Sequence, residues 1–261
     1  MTTFVEILGD KLAVNLFEPE NSIGDVVLVH GFTGSKEDFI EVGPLLAAQG
    51  YRVLTFDNRG QHESSPSSRE DAYSMKSLAR DVIELSQHYG FVKPHLFGHS
   101  FGGLVTQRAV VEAPDYWSSL TLFCSGPHWI PNKPHLPKYV EVLENISPQD
   151  GWNTLLEEER KGHPLYDLHI KRWLKSDIRS TREMAKLLIS EQSVISEIAA
   201  IKIPVHVVYG ETDDAWPLSM QDQMAEELSA LRTIIKDAGH CPNEDQPEET
   251  AKVLANFWKS L

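Results

Sequence analysis

Apolar runs of strand length alternate with amphipathic stretches of helix length along most of this 261-residue sequence, which limits the fold to a few classes. The predicted strands are Thr3–Leu8, Lys11–Phe17, Val26–His30, Arg52–Phe56, His95–Gly98, Ser119–Cys124, Val205–Tyr209 and Arg232–Ile235. The predicted helices are Lys36–Gln49, Ser74–His88, Phe101–Glu112, Leu218–Leu228 and Pro247–Ser260. A short connection between the first two strands indicates a hairpin, and the later strand–helix–strand order indicates parallel pairing. We therefore expect an α/β fold with an eight-stranded, mostly parallel sheet and helices on both faces.

Residues 127–200 break this alternation. They contain helical patterns, such as DGWNTLLEEERKG, but no convincing strand, and the proline-rich stretch SGPHWIPNKPHLP sets them off. Helices inserted between two sheet strands can lie over the carboxyl ends of the strands, where open parallel sheets bind ligands. We therefore predict a helical lid at residues 127–200, within a core formed by residues 1–126 and 201–261. The alternative is an insertion that only covers apolar surface.

The stretch HLFGHSFGGLV, residues 95–105, places Ser100 between Gly98 and Gly102. Glycine has no Cβ, so it permits a sharp turn and the close approach of another element. The residues GHSFG match the pattern G-x-S-x-G, with a predicted strand before Ser100 and a predicted helix after it, which is the context of a nucleophile elbow. In such a turn the serine hydroxyl projects from the sheet edge, where the amino terminus of the helix stabilises negative charge.

Three further segments carry candidate site residues. HGFTGS follows the third strand, and it can present the backbone N–H of Phe32 beside that of Phe101; two such donors form an oxyanion hole. YGETDDAWP places Asp213 and Asp214 just past the seventh strand. DAGHCPNEDQPEE places His240 in the loop before the final helix. These segments supply an acid and a base that can accompany a nucleophilic serine.

Over nearly its whole length the sequence resembles the α/β-hydrolase superfamily. HGFTGS, FDNRGQHESS, GHSFGG, YGETDDAWP and DAGHCPNEDQPEE occur in the order and spacing of that family, whose catalytic residues follow the chain order Ser, Asp, His. Within the superfamily it is similar to lidded esterases, thioesterases and C–C hydrolases. Two positions depart from the pattern. His62 stands where the motif R-G-x-G-x-S has its second glycine, and Leu104 stands where a resemblance to the menaquinone-pathway lyase would favour arginine.

The resemblance implies Ser100 as the nucleophile and His240 as the base that activates it. An acidic residue then fixes the tautomer of the histidine and stabilises the imidazolium. Asp213 is the predicted acid, because its place after the strand resembles the acid loop of the family. Asp214 is the alternative, because a shift of one residue at a strand end reverses the direction of a side chain.

The implied activity is hydrolysis of a small-to-medium carboxylic ester or thioester through an acyl-enzyme. One alternative is a C–C bond hydrolase or lyase that uses the same triad. Another is a non-catalytic ligand-binding protein on this fold, which the intact set of three residues disfavours.

Four tryptophans lie in or beside the predicted lid: Trp129, Trp152, Trp173 and Trp216. Tryptophan combines a large apolar surface with a polar edge, so these residues are candidates for the wall of a substrate pocket. The alternative is that they pack the lid onto the core.

The formal net charge of −14 disfavours binding to nucleic acid or anionic membranes, which requires basic patches. No apolar run approaches the roughly 20 residues of a membrane span, and the first residues lack the pattern of a secretory signal. We therefore expect a cytoplasmic protein that acts on a small molecule, with its oligomeric state left open. No dinucleotide or P-loop motif and no convergent metal-ligand spacing occurs, so neither cofactor nor metal is expected.

Overall fold

The computed structural model describes residues 2–128, 135–144 and 146–261. Its strands form one eight-stranded sheet with the order β1-β2-β4-β3-β5-β6-β7-β8. Their bounds are β1 (Thr3–Ile7), β2 (Asp10–Phe17), β3 (Gly24–Val29), β4 (Tyr51–Phe56), β5 (His95–His99), β6 (Ser119–Phe123), β7 (Val205–Gly210) and β8 (Leu231–Ile235). β2 pairs antiparallel with β1 and β4, and the remaining neighbours pair in parallel. The predicted eight-stranded α/β sheet with its opening hairpin is confirmed.

The α-helices are α1 (Val42–Ala48), α2 (Met75–His88), α3 (Phe101–Glu112), α4 (His135–Val142), α5 (Pro148–Leu155), α6 (Glu157–Arg160), α7 (Tyr166–Lys175), α8 (Ile178–Ser190), α9 (Ile195–Ile201), α10 (Leu218–Glu227), α11 (Pro242–Asp245) and α12 (Pro247–Lys259). Among the described residues, none of these helices has the length and apolar character that crossing a membrane requires.

Helices cover the central strands on both faces. Every residue of β5 and β6 is buried, so these strands cannot have a solvated face. α1 packs against α12, while α2, α3, α9 and α10 form a second row of packed helices. This burial includes the polar side chains of His95 in β5 and of Ser119 in β6, which lie 2.8 Å apart at His95 Nδ1 and Ser119 Oγ and hydrogen-bond to each other.

One predicted helix, Lys36–Gln49, is wrong. The chain instead forms a 3-10 helix at Lys36–Phe39, followed after two residues by α1. The side chain of Lys36 is buried, where its Nζ donates to Asp57 Oδ2 at 3.0 Å and its backbone N–H donates to Asp57 Oδ1 at 2.7 Å. This contact with the residue that follows β4 holds the 3-10 helix in place as an element separate from α1. The helical periodicity of residues 36–49 gives no sign of such a contact.

Helices α4–α8, here called the cap, lie between β6 and β7 in the chain and have a small core of their own. Its buried side chains are Tyr139, Leu143, Trp152, Leu156, Trp173 and Ala185. Phe32 of the HGFTGS loop packs against this core, with its ring edge-on to Tyr139 at a centroid distance of 5.5 Å. α9 begins within residues 127–200, but its Ile195 and Ile198 belong to the main core.

The loop after β4 fastens one side of the cap to the sheet. The N–H of Asp177 donates to the carbonyl of Gly60 at 2.7 Å, and Ser180 Oγ donates to the carbonyl of Arg59 at 2.8 Å. The N–H of His62 donates to Ser176 Oγ at 2.9 Å. His62 has φ 44, so it keeps the left-handed backbone that the glycine of the family motif would adopt freely.

Candidate active site

Ser100 occupies the turn between β5 and α3 with an unusual backbone. Its φ and ψ are 55 and −119, a combination that L-residues rarely adopt and that is characteristic of strained functional turns. The N–H of Ser100 donates to the carbonyl of Phe123 at 2.9 Å, and Ser125 Oγ donates to the carbonyl of Ser100 at 2.8 Å. Hydrogen bonds with the end of the neighbouring strand β6 and with the segment that follows it therefore hold the strained residue in place.

Gly102, in the first turn of α3, allows that helix to start directly against β3. A Cβ built on Gly102 would lie 2.4 Å from the carbonyl oxygen of Val29 and 2.6 Å from that of His30. Both are backbone atoms, so a side chain at this position requires the helix or the strand to move.

Gly102→Ala is expected to destabilise the protein by about 3 kcal/mol, at the upper end of the usual cost of overpacking, because the new Cβ meets backbone rather than a flexible side chain. Thermal unfolding monitored by circular dichroism measures the change. Gly24→Ala is the matched control, since its Cβ would meet only the ring of Tyr51, at 3.3 Å, and should cost far less. Equal melting temperatures for the two variants would contradict the steric argument.

A chain of two hydrogen bonds connects Ser100, His240 and Asp213. His240 Nε2 lies 3.0 Å from Ser100 Oγ, and His240 Nδ1 lies 2.8 Å from Asp213 Oδ1. A carboxylate only accepts hydrogen bonds, so Nδ1 carries the proton and Nε2 accepts from the serine hydroxyl. The structure thus brings together the three residues that the sequence predicted as a triad. Asp214, the alternative acid, has an exposed side chain.

The carboxylate of Asp213 is fully buried and well supplied with hydrogen bonds. Oδ1 also accepts from the backbone N–H of Ala215 at 2.9 Å, and Oδ2 accepts from Gln221 Nε2 at 2.9 Å. Burial opposes ionisation of Asp213, but the hydrogen bond and the charge of His240 outweigh it and lower the pKa. Asp213 is therefore an ionised partner for His240. Gln221 could not be identified as part of the site from the sequence, because it lies in no motif.

His30 and His99, which flank the candidate site in the sequence, are tied to backbone groups. His30 donates from Nδ1 to the carbonyl of Gly31 at 2.8 Å and accepts at Nε2 from the N–H of Asn58 at 2.9 Å. His99 Nε2 lies 2.8 Å from the carbonyl of His240 and donates to it. Burial, assisted by the nearby His240, lowers the pKa of His99 to about 4, so its ring is neutral. His99 supports the loop that carries His240.

The turn Gly31–Gly34 lies directly beside Ser100. A Cβ on Gly31 would be 3.0 Å from the Cβ of Ser100, and the turn is closed by a 3.0 Å hydrogen bond from the N–H of Gly34 to the carbonyl of Gly31. Phe32 follows Gly31 within this turn. Phe101 is the first residue of α3, where backbone N–H groups have no partner within the helix. The two candidate oxyanion donors thus belong to segments that meet at Ser100.

The four tryptophans predicted for the pocket fall in different places. Trp216 lies beside the site: its ring centroid is 6.3 Å from that of His240, and its Nε1 donates to the carbonyl of His128 at 2.9 Å. Trp152 and Trp173 are buried in the cap core, where both border a cavity of about 10 Å³. Trp129 lies outside the described residues. A pocket role for these tryptophans stays a prediction.

Two groups of potential metal ligands occur within the described ranges: His99 with Cys124 and His240, and Glu37 with His62 and Glu63. The spacing of His62 and Glu63 in the sequence did not reveal the second group, because Glu37 joins it from the 3-10 helix Lys36–Phe39, far away in the chain.

Both groups already have partners. Lys36 Nζ lies 2.8 Å from Glu37 Oε1 and 2.9 Å from Glu63 Oε2, so an ammonium group provides the positive charge there. In the first group, both ring nitrogens of His240 are engaged by Asp213 and Ser100. Neither arrangement favours a metal ion in the described part of the chain.

The sheet order and the strand–turn–helix around Ser100 define an α/β protein with a nucleophile elbow. The sequence profile of the alpha/beta hydrolase family matches residues 26–253. The chain therefore belongs to the alpha/beta hydrolase family.

Named relatives agree with this assignment. The uncharacterized hydrolase YugF of Bacillus subtilis is 27% identical, with 90% of this chain and 89% of the relative covered. The 3-oxoadipate enol-lactonase 1 of Acinetobacter baylyi is 21% identical, with 97% and 95% covered. An esterase structure from Exiguobacterium antarcticum superimposes with a TM-score of 0.85 at 20% identity, with 99% and 100% covered. The family and these relatives support hydrolase activity.

Proposed function

We propose that this protein is a serine hydrolase that cleaves a small-to-medium carboxylic ester or thioester through an acyl-enzyme. The observation that carries the proposal is the hydrogen-bond chain from Asp213 through His240 to Ser100. Names of relatives, such as the enol-lactonase, agree with a carboxylic ester bond as the target.

In the acylation step, Ser100 Oγ attacks the carbonyl carbon of the substrate while His240 Nε2 takes the hydroxyl proton. The charge of buried Asp213 stabilises the imidazolium that forms. The resulting oxyanion accepts hydrogen bonds from the N–H groups of Phe32 and Phe101, and the amino terminus of α3 adds a favourable dipole. When the tetrahedral intermediate collapses, the imidazolium protonates the departing alkoxide or thiolate.

In the deacylation step, His240 removes a proton from a water molecule that attacks the acyl carbon. The second tetrahedral intermediate collapses to free the carboxylic acid, and the proton returns to Ser100 Oγ. Every proton transfer uses the same imidazole, so the reaction needs neither a metal ion nor an organic cofactor.

The cap has a proposed role as the lid that covers this site. Its core rests on Phe32, whose backbone N–H is a proposed oxyanion donor, so substrate reaches the nucleophile between the cap and the carboxyl edge of the sheet.

Turnover of a panel of p-nitrophenyl esters, acyl thioesters and ring-cleavage diketones by the purified protein tests the proposal. We expect hydrolysis of esters or thioesters, together with a single fluorophosphonate adduct on Ser100 detected by intact-mass and peptide mass spectrometry. Turnover confined to diketones would favour a C–C hydrolase instead. Labelling at another residue, or none, would exclude the serine mechanism.

Trp216→Ala is expected to change acyl-chain selectivity, because this indole lies beside His240. Each methylene that enters an apolar pocket contributes up to about 0.8 kcal/mol, which corresponds to roughly a fourfold gain in kcat/KM. For the unmodified enzyme, kcat/KM should therefore rise with acyl length and then fall once the pocket is full. Removing the indole should move the optimum to longer chains, as measured on a p-nitrophenyl ester series.

Trp258→Ala is the matched control for this change. Trp258 is equally buried, but it packs against Tyr51 and His95 near the other end of β5. Its loss should lower the melting temperature and leave the acyl-length optimum in place. A flat profile that neither substitution changes would show that Trp216 serves packing alone.

A further inference from the structure

Asp38 contacts the turn that carries the proposed oxyanion donor Phe32. Its Oδ2 accepts from the backbone N–H of Ser35 at 3.3 Å. A Cβ on Gly34 would lie 2.4 Å from the same oxygen, so the turn passes close to the carboxylate, which would have to move to admit a side chain there. The carboxylate of Asp38 therefore lies against the turn Gly31–Gly34 and accepts a hydrogen bond from the residue that follows it.

The backbone of Asp38 also contacts the segment that follows His240. Asn243 Nδ2 donates to the carbonyl of Asp38 at 2.8 Å, and Asn243 is 1% exposed. Asn243 lies three residues after His240, in α11. This hydrogen bond therefore connects the segment after the proposed base to Asp38, which borders the turn Gly31–Gly34.

The third contact of Asp38 reaches the cap. Arg172 of α7 donates from its guanidinium to Asp38 Oδ1 at 2.5 Å. The exposed fractions of the two side chains are only 10% and 8%, so water screens this ion pair weakly. Asp38 thus connects the cap, the turn that carries Phe32 and the loop that follows His240.

We propose that Asp38 is a positioning residue that holds the Phe32 N–H and His240 in their working geometry, and that Arg172 keeps it there by binding it from the cap. This inference rests on the proposed serine-hydrolase function. Neither residue is a catalytic group; both act through the backbone segments that they join. A displacement of about 1 Å at an oxyanion donor or base can cost on the order of 100-fold in rate, so the coupling is large enough to measure.

The charges around Asp38 come from several elements. Arg172 faces it from α7, His30 from the end of β3, His99 from β5 and Glu244 from α11. Burial disfavours the charged carboxylate, but the positive charge of Arg172 outweighs this and lowers the pKa of Asp38. Without Arg172 the buried carboxylate loses its main counterion, and its pKa should rise.

A double-mutant cycle tests the coupling. Arg172→Met should lower kcat for p-nitrophenyl acetate about 100-fold and leave KM nearly unchanged, because the arginine positions loops and does not bind this small substrate. Asp38→Asn combined with Arg172→Met should restore kcat to within about tenfold of the unmodified enzyme, since no unpaired buried charge is left. The rate deficit of Arg172→Met alone should shrink as the pH is lowered and the unpaired Asp38 carboxylate becomes protonated, and the double variant should lack this trend.

Lys175→Met is the control on the same helix. Lys175 is 45% exposed and pairs with Glu63 Oε1 at 3.0 Å, so its loss should change kcat by less than about twofold. If Arg172→Met does not fold, Asn243→Ser tests the second link and should lower kcat without the pH trend. Wild-type kcat and pH dependence in Arg172→Met would overturn the inference. Absence of ester turnover and of Ser100 labelling in the unmodified protein would overturn the proposed function instead.

Discussion

Ser100→Ala is expected to reduce ester turnover by several orders of magnitude, on the order of 10⁶ in kcat if Ser100, His240 and Asp213 work as one unit. Without Oγ no acyl-enzyme can form, and His240 has no hydroxyl to activate. Any residual rate would come from the oxyanion donors and substrate binding. Because the three residues act together, adding His240→Ala to Ser100→Ala should lower the rate little further. Steady-state kinetics on one p-nitrophenyl ester measures all three variants.

Ser100→Gly serves as the companion variant. It should be as inactive as Ser100→Ala but more stable, because glycine adopts φ 55 and ψ −119 without the steric cost that a Cβ carries. Thermal unfolding therefore separates loss of the nucleophile from relief of backbone strain. Undiminished turnover in either variant, in preparations free of host esterases, would remove Ser100 from the mechanism.

The sheet could be predicted from the sequence because its central strands are short runs rich in apolar residues and separated by stretches of helix length. β5 and β6 are buried on both faces, and their bounds differ from the predicted ones by one residue. The first helix could not be predicted correctly, because Asp57 draws Lys36 into the interior from 21 positions along the chain. A local pattern records the periodicity of a segment and carries no information about such a distant partner.

The candidate site also has a part that could be predicted from the sequence and a part that could not. Ser100 and His240 lie in motifs whose residue order is recognisable, and the structure brings them within hydrogen-bonding distance of each other. The residues proposed to position them could not be paired from the sequence: Asp38 meets Arg172 and Asn243 across 134 and 205 positions. Only the packed fold makes these residues neighbours. The motifs that identify the proposed reacting groups therefore carry no information about the side chains that pack around them.

Asp213→Asn is expected to lower kcat on the order of 10⁴-fold, by analogy with the acid of other serine triads. The substitution removes the negative charge that stabilises the His240 imidazolium in the transition state. It can also change the tautomer of His240, because the nitrogen of the new amide would be a donor if it faced Nδ1. Gln221 Oε1 is buried and has no hydrogen-bond partner among the described residues. Rotation of the Gln221 amide can therefore turn this oxygen towards the nitrogen of the new asparagine side chain, which leaves the asparagine oxygen to accept from His240. Asp213→Ala, which removes the acceptor altogether, should be at least as slow.

Asp214→Asn makes the same chemical change one residue further along the chain and is the matched control. Its side chain is exposed, whereas that of Asp213 is fully buried and accepts from His240 at 2.8 Å, so we expect less than about a threefold change in kcat. Steady-state kinetics at neutral pH ranks the two variants, and fluorophosphonate labelling rates report separately on the reactivity of Ser100. Labelling should slow strongly in Asp213→Asn and stay near normal in Asp214→Asn. The opposite ranking in both measurements would transfer the orienting role to Asp214 and would mean that the buried carboxylate serves only to hold the loop.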